Sequence, residues 1–227
     1  MKNKINILFA ILIGIGLISS CTPIAPVCTS FDNAKMIKKG DVESSVMYSS
    51  YSGERITGFQ NFNEVTSWAT CNNNYGFKIN VGGDNMNCGF HYENMQIPGE
   101  SKFSINYLSV EPKFSLIQDK SAFSIPIGYY FTNEGGNLFQ LTPSFLFTFS
   151  DDNYVEFNLS PKFIILCNPS ASVNPFLFMG SLSAGFGFSS NIKKWAIRPE
   201  IGYTVGIPDV SYGIFHYGCG LTLNFGK

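Results

Sequence analysis

Two histidines and six cysteines are the residues of this chain that most often carry chemistry. A histidine beside a serine or a carboxylate could act as a general base, but neither His91 nor His216 accompanies a Gly-x-Ser-x-Gly sequence or a comparable motif. The cysteines show no Cys-x-x-Cys pair and no cysteine–histidine spacing typical of a metal site. We therefore predict that the chain is not an enzyme, with no catalytic residue, no metal and no cofactor. His91 is expected in a solvated loop and His216 on the polar face of the last strand.

A set of charged residues alternates with apolar neighbours along the chain, which places the charges on one face of β-strands. Four of them are basic and three are acidic, so they could pair with one another if that face is buried. We predict that they form a charge network inside a β-barrel. The seven residues are Lys78, Glu111, Lys113, Glu156, Lys162, Arg198 and Glu200.

The clearest structural signal is the stretch from Leu138 to Ile165, which reads as a β-hairpin with one apolar and one polar face. Its turn is the polar run Ser150–Asn153. Each arm is about 11–13 residues long, which is close to the ~9–11 residues that a tilted transmembrane strand needs. The same alternation recurs to the end of the chain. It predicts an all-β, antiparallel, up-and-down transmembrane β-barrel of about ten strands, with eight to twelve possible.

Composition agrees with a barrel in a membrane. Charged residues make up 14% of the 227 residues and aromatic residues 15%, whereas soluble domains carry about 25% charged residues. The mean hydropathy of +0.08 is near neutral, as expected for a chain that presents apolar side chains to lipid on one face only. The net charge of −1 argues against a nucleic-acid partner.

The N-terminus has the features of a signal peptide: two lysines, an apolar run over 7–18, and small residues before Cys21. The tetrad Ile-Ser-Ser-Cys ending at Cys21 resembles the bacterial lipobox, and this resemblance implies that Cys21 is lipidated and becomes the mature N-terminus. The alternative is an ordinary signal peptide cleaved nearby. We predict a lipoprotein signal peptide over 1–20, a lipidated tether or linker over 21–40, and a β-barrel domain over 41–227. The linker, which contains a small basic patch, is expected to be solvated.

Several elements are less regular. The second strand is expected at about 56–70, although a three-residue periodicity there also allows a short helix. We predict a turn at Asn72–Gly76, the longest loop at Gly82–Ser101, and a β-bulge near Tyr107 that restores the alternation of the fourth strand. Prolines inside five predicted strands oppose this assignment, because each removes a ladder hydrogen bond. They are Pro112, Pro126, Pro143, Pro161 and Pro199.

A lipidated start on the periplasmic side makes the first strand run outward. The short turns then fall on the periplasmic side and longer segments outside, which is the usual asymmetry of outer-membrane barrels. On this topology Cys88 and Cys167 lie at the same end, so a disulfide between them is possible, whereas Cys71 lies at the opposite end. Cys219 is expected to face lipid as a small apolar residue.

Alternation alone does not say which face of the barrel meets solvent, and a soluble lipocalin-like barrel has the same period. The apolar face is too rich in large side chains to fit inside a barrel this small. The other face is too sparsely charged for a soluble exterior. Both observations favour an apolar face turned toward lipid.

The C-terminal segment Gly218–Phe225 resembles the terminal strand signal of outer-membrane barrels, although two residues follow the aromatic. With the lipobox and the residues Lys38–Asp41 before the first strand, the chain resembles small outer-membrane barrel lipoproteins of Bacteroidetes-type bacteria. The resemblance implies an outer-membrane location, lipid-anchored and membrane-spanning, and no assigned activity.

Four kinds of function remain open. We predict a structural or surface-interaction role, with outer-membrane lipids and the barrel-assembly machinery as partners and a possible surface partner at loop 82–101. The alternatives are a narrow pore, a tethered lipocalin-like barrel that binds a small apolar ligand, and a lipid-modifying outer-membrane enzyme.

Overall fold

Alternation of apolar and polar residues builds twelve β-strands in a computed structural model of the chain. The structure describes residues 27, 29–53, 70–96, 104–132, 137–150, 154–167, 176–207 and 213–226. The strands are β1 (Val42–Gly53), β2 (Thr70–Val81), β3 (Met86–Gln96), β4 (Ser104–Ile117), β5 (Ser121–Ser124), β6 (Ile127–Thr132), β7 (Asn137–Leu141), β8 (Ser144–Ser150), β9 (Val155–Cys167), β10 (Phe176–Phe188), β11 (Trp195–Ile207) and β12 (Gly213–Phe225). Among these residues, no helix is long and apolar enough to span a membrane.

The strands pair antiparallel into one closed barrel with ten positions around its wall. The short strands β5 and β6 both pair with β4, so together they fill one position in the wall. The short strands β7 and β8 both pair with β9 and together fill the next position. Pairing of β1 with β12 over twelve residues closes the barrel. The prediction of an antiparallel barrel of about ten strands is confirmed.

Two of the five prolines explain the divided strands. Pro126 separates β5 from β6 and Pro143 separates β7 from β8. The interruptions lie side by side, because Thr142 N donates to Pro126 O (2.9 Å) and Phe163 N donates to Pro143 O (2.9 Å). The proline carbonyls thus continue the lateral hydrogen bonding where the missing N–H groups interrupt it.

The second and third positions of the barrel differ from the sequence prediction. The predicted turn at Asn72–Gly76 lies inside β2, and most of the predicted loop Gly82–Ser101 is β3. The predicted second strand at 56–70 lies outside the described residues except for Thr70. The error arose because the asparagines of β2 and the glycines and asparagines around β3 are turn formers by propensity, while cross-strand pairing overrides such local preferences.

The outward face of the barrel is apolar. Large apolar side chains point away from the lumen on every long strand, and many are about half exposed, for example Val46 (58%), Leu182 (53%) and Ile201 (56%). Polar side chains alternate with them and are buried inside, including Lys78 (3%), Glu156 (1%) and Arg198 (4%). Apolar residues outside and buried charges inside are the arrangement of a transmembrane barrel and the inverse of a soluble one.

The two ends of the barrel differ in the length of their connections. At one end, here called the short-turn end, the strands are joined by residues 82–85, 118–120, 151–154 and 189–194. At the other, the long-connection end, they are joined by residues 54–69, 97–103, 133–136, 168–175 and 208–212. Strand β1 begins at the short-turn end, beside the end of β12. Segment 82–85 therefore lies at the end opposite to the one predicted.

The lumen changes character along its length, which explains the irregular alternation of β4. Pairing of β3 with β4 is continuous from Met86–Phe114 to Gln96–Ser104, so the predicted bulge near Tyr107 is absent from this pairing. Ile105 and Tyr107 point inward with Glu111 and Lys113. The inward face is polar toward the short-turn end and apolar toward the long-connection end.

Candidate functional site

The chain's own N-terminal segment runs through the lumen to its short-turn end; its described residues, 27 and 29–41, are here called the N-terminal thread. Of its members, Val27, Phe31 and Ala34 are buried (6%, 7% and 0% exposed), as are Thr29 and Asn33. The predicted solvated linker is therefore wrong for this part of the chain. Strands of the barrel wall surround the segment and supply partners to its backbone and side chains.

Contacts of the thread run in order from the long-connection half to the short-turn end. Val27 N donates a hydrogen bond to Tyr130 Oη (2.7 Å), which lies near the end of β6. Further along, Phe31 N donates to Glu200 Oε2 (2.9 Å) in the middle of β11. Ala34 N then donates to Thr148 Oγ1 (2.7 Å) near the end of β8. The segment therefore lies lengthwise in the lumen.

At the short-turn end the thread turns back into the wall. Gly40 N donates to Gly82 O (3.1 Å), and Gly82 N donates to Asp41 O (3.0 Å). Gly40 has a φ of +82°, a left-handed conformation that favours glycine at this reversal. These bonds fix the point at which the thread leaves the lumen and β1 begins.

All seven residues of the predicted charge network are buried and face the lumen. Lys78 pairs with Glu111, Arg198 pairs with Glu156, and Lys162 Nζ lies 3.6 Å from Glu200 Oε1. Six of the seven charges thus have an opposite charge nearby, as buried ions require, and Lys113 is the exception.

The thread supplies the partners that the wall lacks. Asp32 Oδ1 lies 2.8 Å from Lys78 Nζ, and Lys35 Nζ lies 3.1 Å from Glu156 Oε2. Lys113 Nζ donates to two backbone carbonyls of the thread, Asn33 O (3.3 Å) and Lys35 O (3.0 Å). Charge-assisted bonds of this kind are stronger than neutral ones, so the thread is an integral part of the network.

His91 belongs to this buried network and not to a solvated loop, so the predicted environment was wrong. The ring lies on β3, 1% exposed. Its Nδ1 is 3.2 Å from Glu111 Oε1 and its Nε2 is 3.4 Å from Glu93 Oε2. Glu93 also accepts hydrogen bonds from Ser49 Oγ (2.7 Å) and Tyr51 Oη (3.0 Å). The histidine therefore links two glutamates of adjacent strands inside the wall.

Two glycines of β12 make room for the thread. A Cβ atom on Gly218 would lie 2.7 Å from Phe31 Cζ, and one on Gly220 would lie 3.2 Å from Phe31 Cγ. Phe31 itself has a φ of +52°, an unfavourable conformation for a bulky residue. The hydrogen bonds from the N–H groups of Ser30 and Phe31 to Glu200 hold it there. The glycines of the C-terminal strand signal thus also have a packing role.

An apolar cluster fills the long-connection half of the lumen. Val27 joins this cluster from the thread. Its wall members are Tyr51, Met95, Ile105, Tyr107, Tyr130, Leu138, Ile164, Leu166, Met179 and Ile214. Toward the short-turn end, by contrast, a cavity of about 1530 Å³ opens beside the thread, lined among others by Lys38, Lys120, Phe149 and Lys194.

The second histidine lies beside a serine. His216 is fully buried on β12, with Nε2 3.4 Å from Ser181 Oγ, and Thr204 Oγ1 donates to the same serine oxygen (2.8 Å). None of the contacts that the structure describes for His216 is with a carboxylate. The described residues also contain no group of His, Cys, Asp and Glu arranged to hold a metal ion. This geometry fits packing of the lumen.

The described cysteines do not pair. Cys88, Cys167 and Cys219 are free thiols. Cys88 pairs with Val81 near the short-turn end, and Cys167 pairs with Phe176 at the long-connection end. A disulfide between them, which the predicted topology left possible, is therefore excluded, because the predicted loop that contained Cys88 is β3. Cys219 is exposed on the outward face, as expected. Cys21, Cys28 and the side chain of Cys71 lie outside the described residues.

Sequence reasoning missed the thread, although two signals pointed to it. The seven predicted network residues include one more base than acids, and Asp32 supplies a further carboxylate. The segment 27–37 also carries six apolar residues among its eleven, which is unusual for a solvated linker.

The chain matches no protein-family model and no curated protein. It is similar to the N-terminal β-barrel domain of Pseudomonas aeruginosa OprF (14% identity over 82% of this chain and 98% of that chain, TM-score 0.34). It is also similar to Yersinia pestis Ail, the attachment invasion locus protein (11%, 83% and 100%, TM-score 0.33). A third similar structure is Neisserial surface protein A (8%, 81% and 95%, TM-score 0.30). At these identities and scores the likeness is one of fold alone.

Proposed function

We propose that this chain is an outer-membrane β-barrel lipoprotein with a structural or surface-interaction role and that it is neither an enzyme nor an open pore. The thread in the lumen carries this proposal. It satisfies Lys78 and Lys113 from inside the barrel, and its Val27 packs into the apolar cluster. A lumen filled in this way supports a structural role over the narrow-pore alternative and over a carrier with an internal ligand.

The outer-membrane location is supported by the wall of the barrel. A closed barrel leaves no unpaired strand edge in lipid, and the outward side chains are apolar on all long strands. The lipid anchor rests on the lipobox resemblance at Cys21. The resemblance to barrel lipoproteins of Bacteroidetes-type bacteria belongs to the same proposal.

The proposed partners are outer-membrane lipids along the apolar belt and the barrel-assembly machinery, which would recognise the C-terminal strand β12. A surface partner was expected at loop 82–101. Because that segment is largely β3 and its turn lies at the short-turn end, the proposed surface contact is at the long-connection end of the barrel.

The absence of catalysis is part of the proposal. The contact between Ser181 and His216 is buried in the lumen, away from the lipid-facing side. A lipid-modifying enzyme would need its nucleophile and base within reach of a lipid substrate.

The first experiment tests the membrane barrel without its lipid. A variant with an ordinary cleavable signal peptide and Cys21→Ser is fractionated, extracted in detergent and run on a gel with and without boiling. We expect a membrane-embedded protein that migrates faster unboiled than boiled, because a closed barrel resists unfolding in detergent. A non-lipidated variant that partitions to the soluble fraction would contradict the proposal.

The second experiment tests the closed lumen. Purified full-length protein is added to planar lipid bilayers, with a general porin as positive control. We expect no stepwise conductance, because the thread and the apolar cluster close the long-connection half of the lumen. Stable conductance steps from the wild-type protein would favour the pore alternative.

A further inference from the structure

The direction of the N-terminal thread bears on where a lipid on Cys21 would lie. The thread leaves the lumen at the short-turn end, where Gly40 and Asp41 hydrogen-bond to Gly82 and the chain continues as β1. Its other end, Val27, contacts Tyr130 and Gln140 in the long-connection half. The thread therefore begins in the long-connection half of the barrel and not at the mouth where β1 begins.

Depth in the wall can be converted to distance. Tyr130 and Gln140 lie nine and ten residues from the strand termini at the short-turn end, Ser121 and Ser150. They lie two and three residues from the termini at the long-connection end, Thr132 and Asn137. A strand tilted by about 40° advances roughly 2.5 Å along the barrel axis per residue. On this scale Val27 is about 23–25 Å from the short-turn end but only about 5–8 Å from the long-connection end.

The six residue-to-residue steps from Cys21 to Val27 limit how far Cys21 can lie from Val27. Fully extended, they span at most about 20–22 Å. This length falls short of the short-turn end and exceeds what is needed at the long-connection end. Between Val27 and the cavity at the short-turn end the lumen is also occupied, because Phe31, Asn33 and Ala34 bond to Glu200, Glu156 and Thr148.

An acyl chain has to reach a bilayer leaflet, since each CH₂ group buried in lipid contributes about 0.8 kcal/mol. We propose that the lipid on Cys21 lies in the leaflet at the long-connection end, which is the cell-surface side because longer connections face outward. This proposal rests on the proposed lipidation of Cys21. It reverses the expectation of a periplasmic anchor: the chain starts at the surface, passes inward through its own barrel, and returns as β1.

The test uses full-length lipidated protein in which the five cysteines after Cys21 are replaced. Ile24→Cys then reports on the chain just before the thread, and the matched control Lys193→Cys reports on the short-turn end. Intact cells and cells with a permeabilised outer membrane are treated with a maleimide on a large polyethylene glycol, which adds visible mass on a gel. Lipid on Cys21 is measured separately by mass spectrometry of the same protein.

We expect Ile24→Cys to react on intact cells and Lys193→Cys to react only after permeabilisation. Reaction of Ile24→Cys only after permeabilisation, together with lipid on Cys21, would overturn the proposal. Failure of Ile24→Cys to react under either condition, while reacting after denaturation, would overturn it as well. If Ile24→Cys reacts on intact cells but Cys21 carries no lipid, the lipoprotein part of the proposed function fails and the direction of the thread stands.

Discussion

Glu156 joins the thread to the wall, and its replacement by glutamine is the most informative single change. The carboxylate pairs with Arg198 of β11 and Lys35 of the thread and accepts a hydrogen bond from Asn33 Nδ2 (3.3 Å). Its side chain is 0% exposed and that of Arg198 is 5% exposed. Glu156→Gln keeps the shape and removes the charge, so Arg198 is left without this carboxylate in the lumen.

Removing one partner of a buried ion pair costs about 3–5 kcal/mol, because the other charge stays buried without compensation. We expect Glu156→Gln to lower the free energy of unfolding by that amount. Asp84→Asn is the matched control, since Asp84 pairs with Lys39 at 2.7 Å while both side chains are about 70% exposed. An exposed pair contributes about 0–1 kcal/mol, so the same chemical change should have little effect there.

The assay is equilibrium unfolding in urea of the barrel in lipid vesicles, followed by tryptophan fluorescence and by the loss of the fast-migrating gel band. Both probes should report the same midpoint for each protein. If Glu156→Gln and Asp84→Asn lower stability equally and by less than about 1 kcal/mol, the lumen is hydrated enough to screen its charges. The argument that the thread is held by buried ion pairs would then be refuted.

Three further predictions follow from the lumen. Gly220→Val should reduce the folded fraction on an unboiled gel because the new side chain meets Phe31, whereas Cys219→Val on the outward face should not. Lys113→Met should lower the free energy of unfolding by about 1–3 kcal/mol, since two thread carbonyls lose a charged donor; an unchanged urea midpoint would show that water replaces it. Oxidation should form no disulfide between Cys88 and Cys167, so the mobility of the oxidised monomer on a non-reducing gel should equal that of the reduced one. A faster monomer band that is lost on reduction and in Cys88→Ser would contradict their placement at opposite ends.

The alternation of side chains could be read from the sequence because it follows from strand geometry alone. Residues two apart share a face, so the outward position of Ile201 and the inward position of Glu200 required no knowledge of the fold. The predicted count of about ten strands agrees with the ten positions of the wall, although β3 was predicted as a loop. The inward position of all seven network residues follows from the same rule.

The second and third strands could not be read in this way. Asn72, Asn73 and Asn74 favour turns in isolation, yet this segment lies within β2, where Cys71 and Asn74 pair with β1 on either side of a register shift. Pairing partners far apart in the chain supply this stabilisation, and local propensity carries no record of them. For the same reason His91 was predicted in a loop, whereas it lies on β3 and pairs with Ser109 of β4.

The sequence by itself determined a chain with one apolar and one polar strand face, few charges and a predicted signal peptide. These properties are local, because they depend on residue type and a spacing of two. Only the tertiary structure decided what fills the barrel. Asp32 meets Lys78 and Val27 meets Tyr130 across separations of 46 and 103 residues, and such contacts exist only once the wall has closed around the thread.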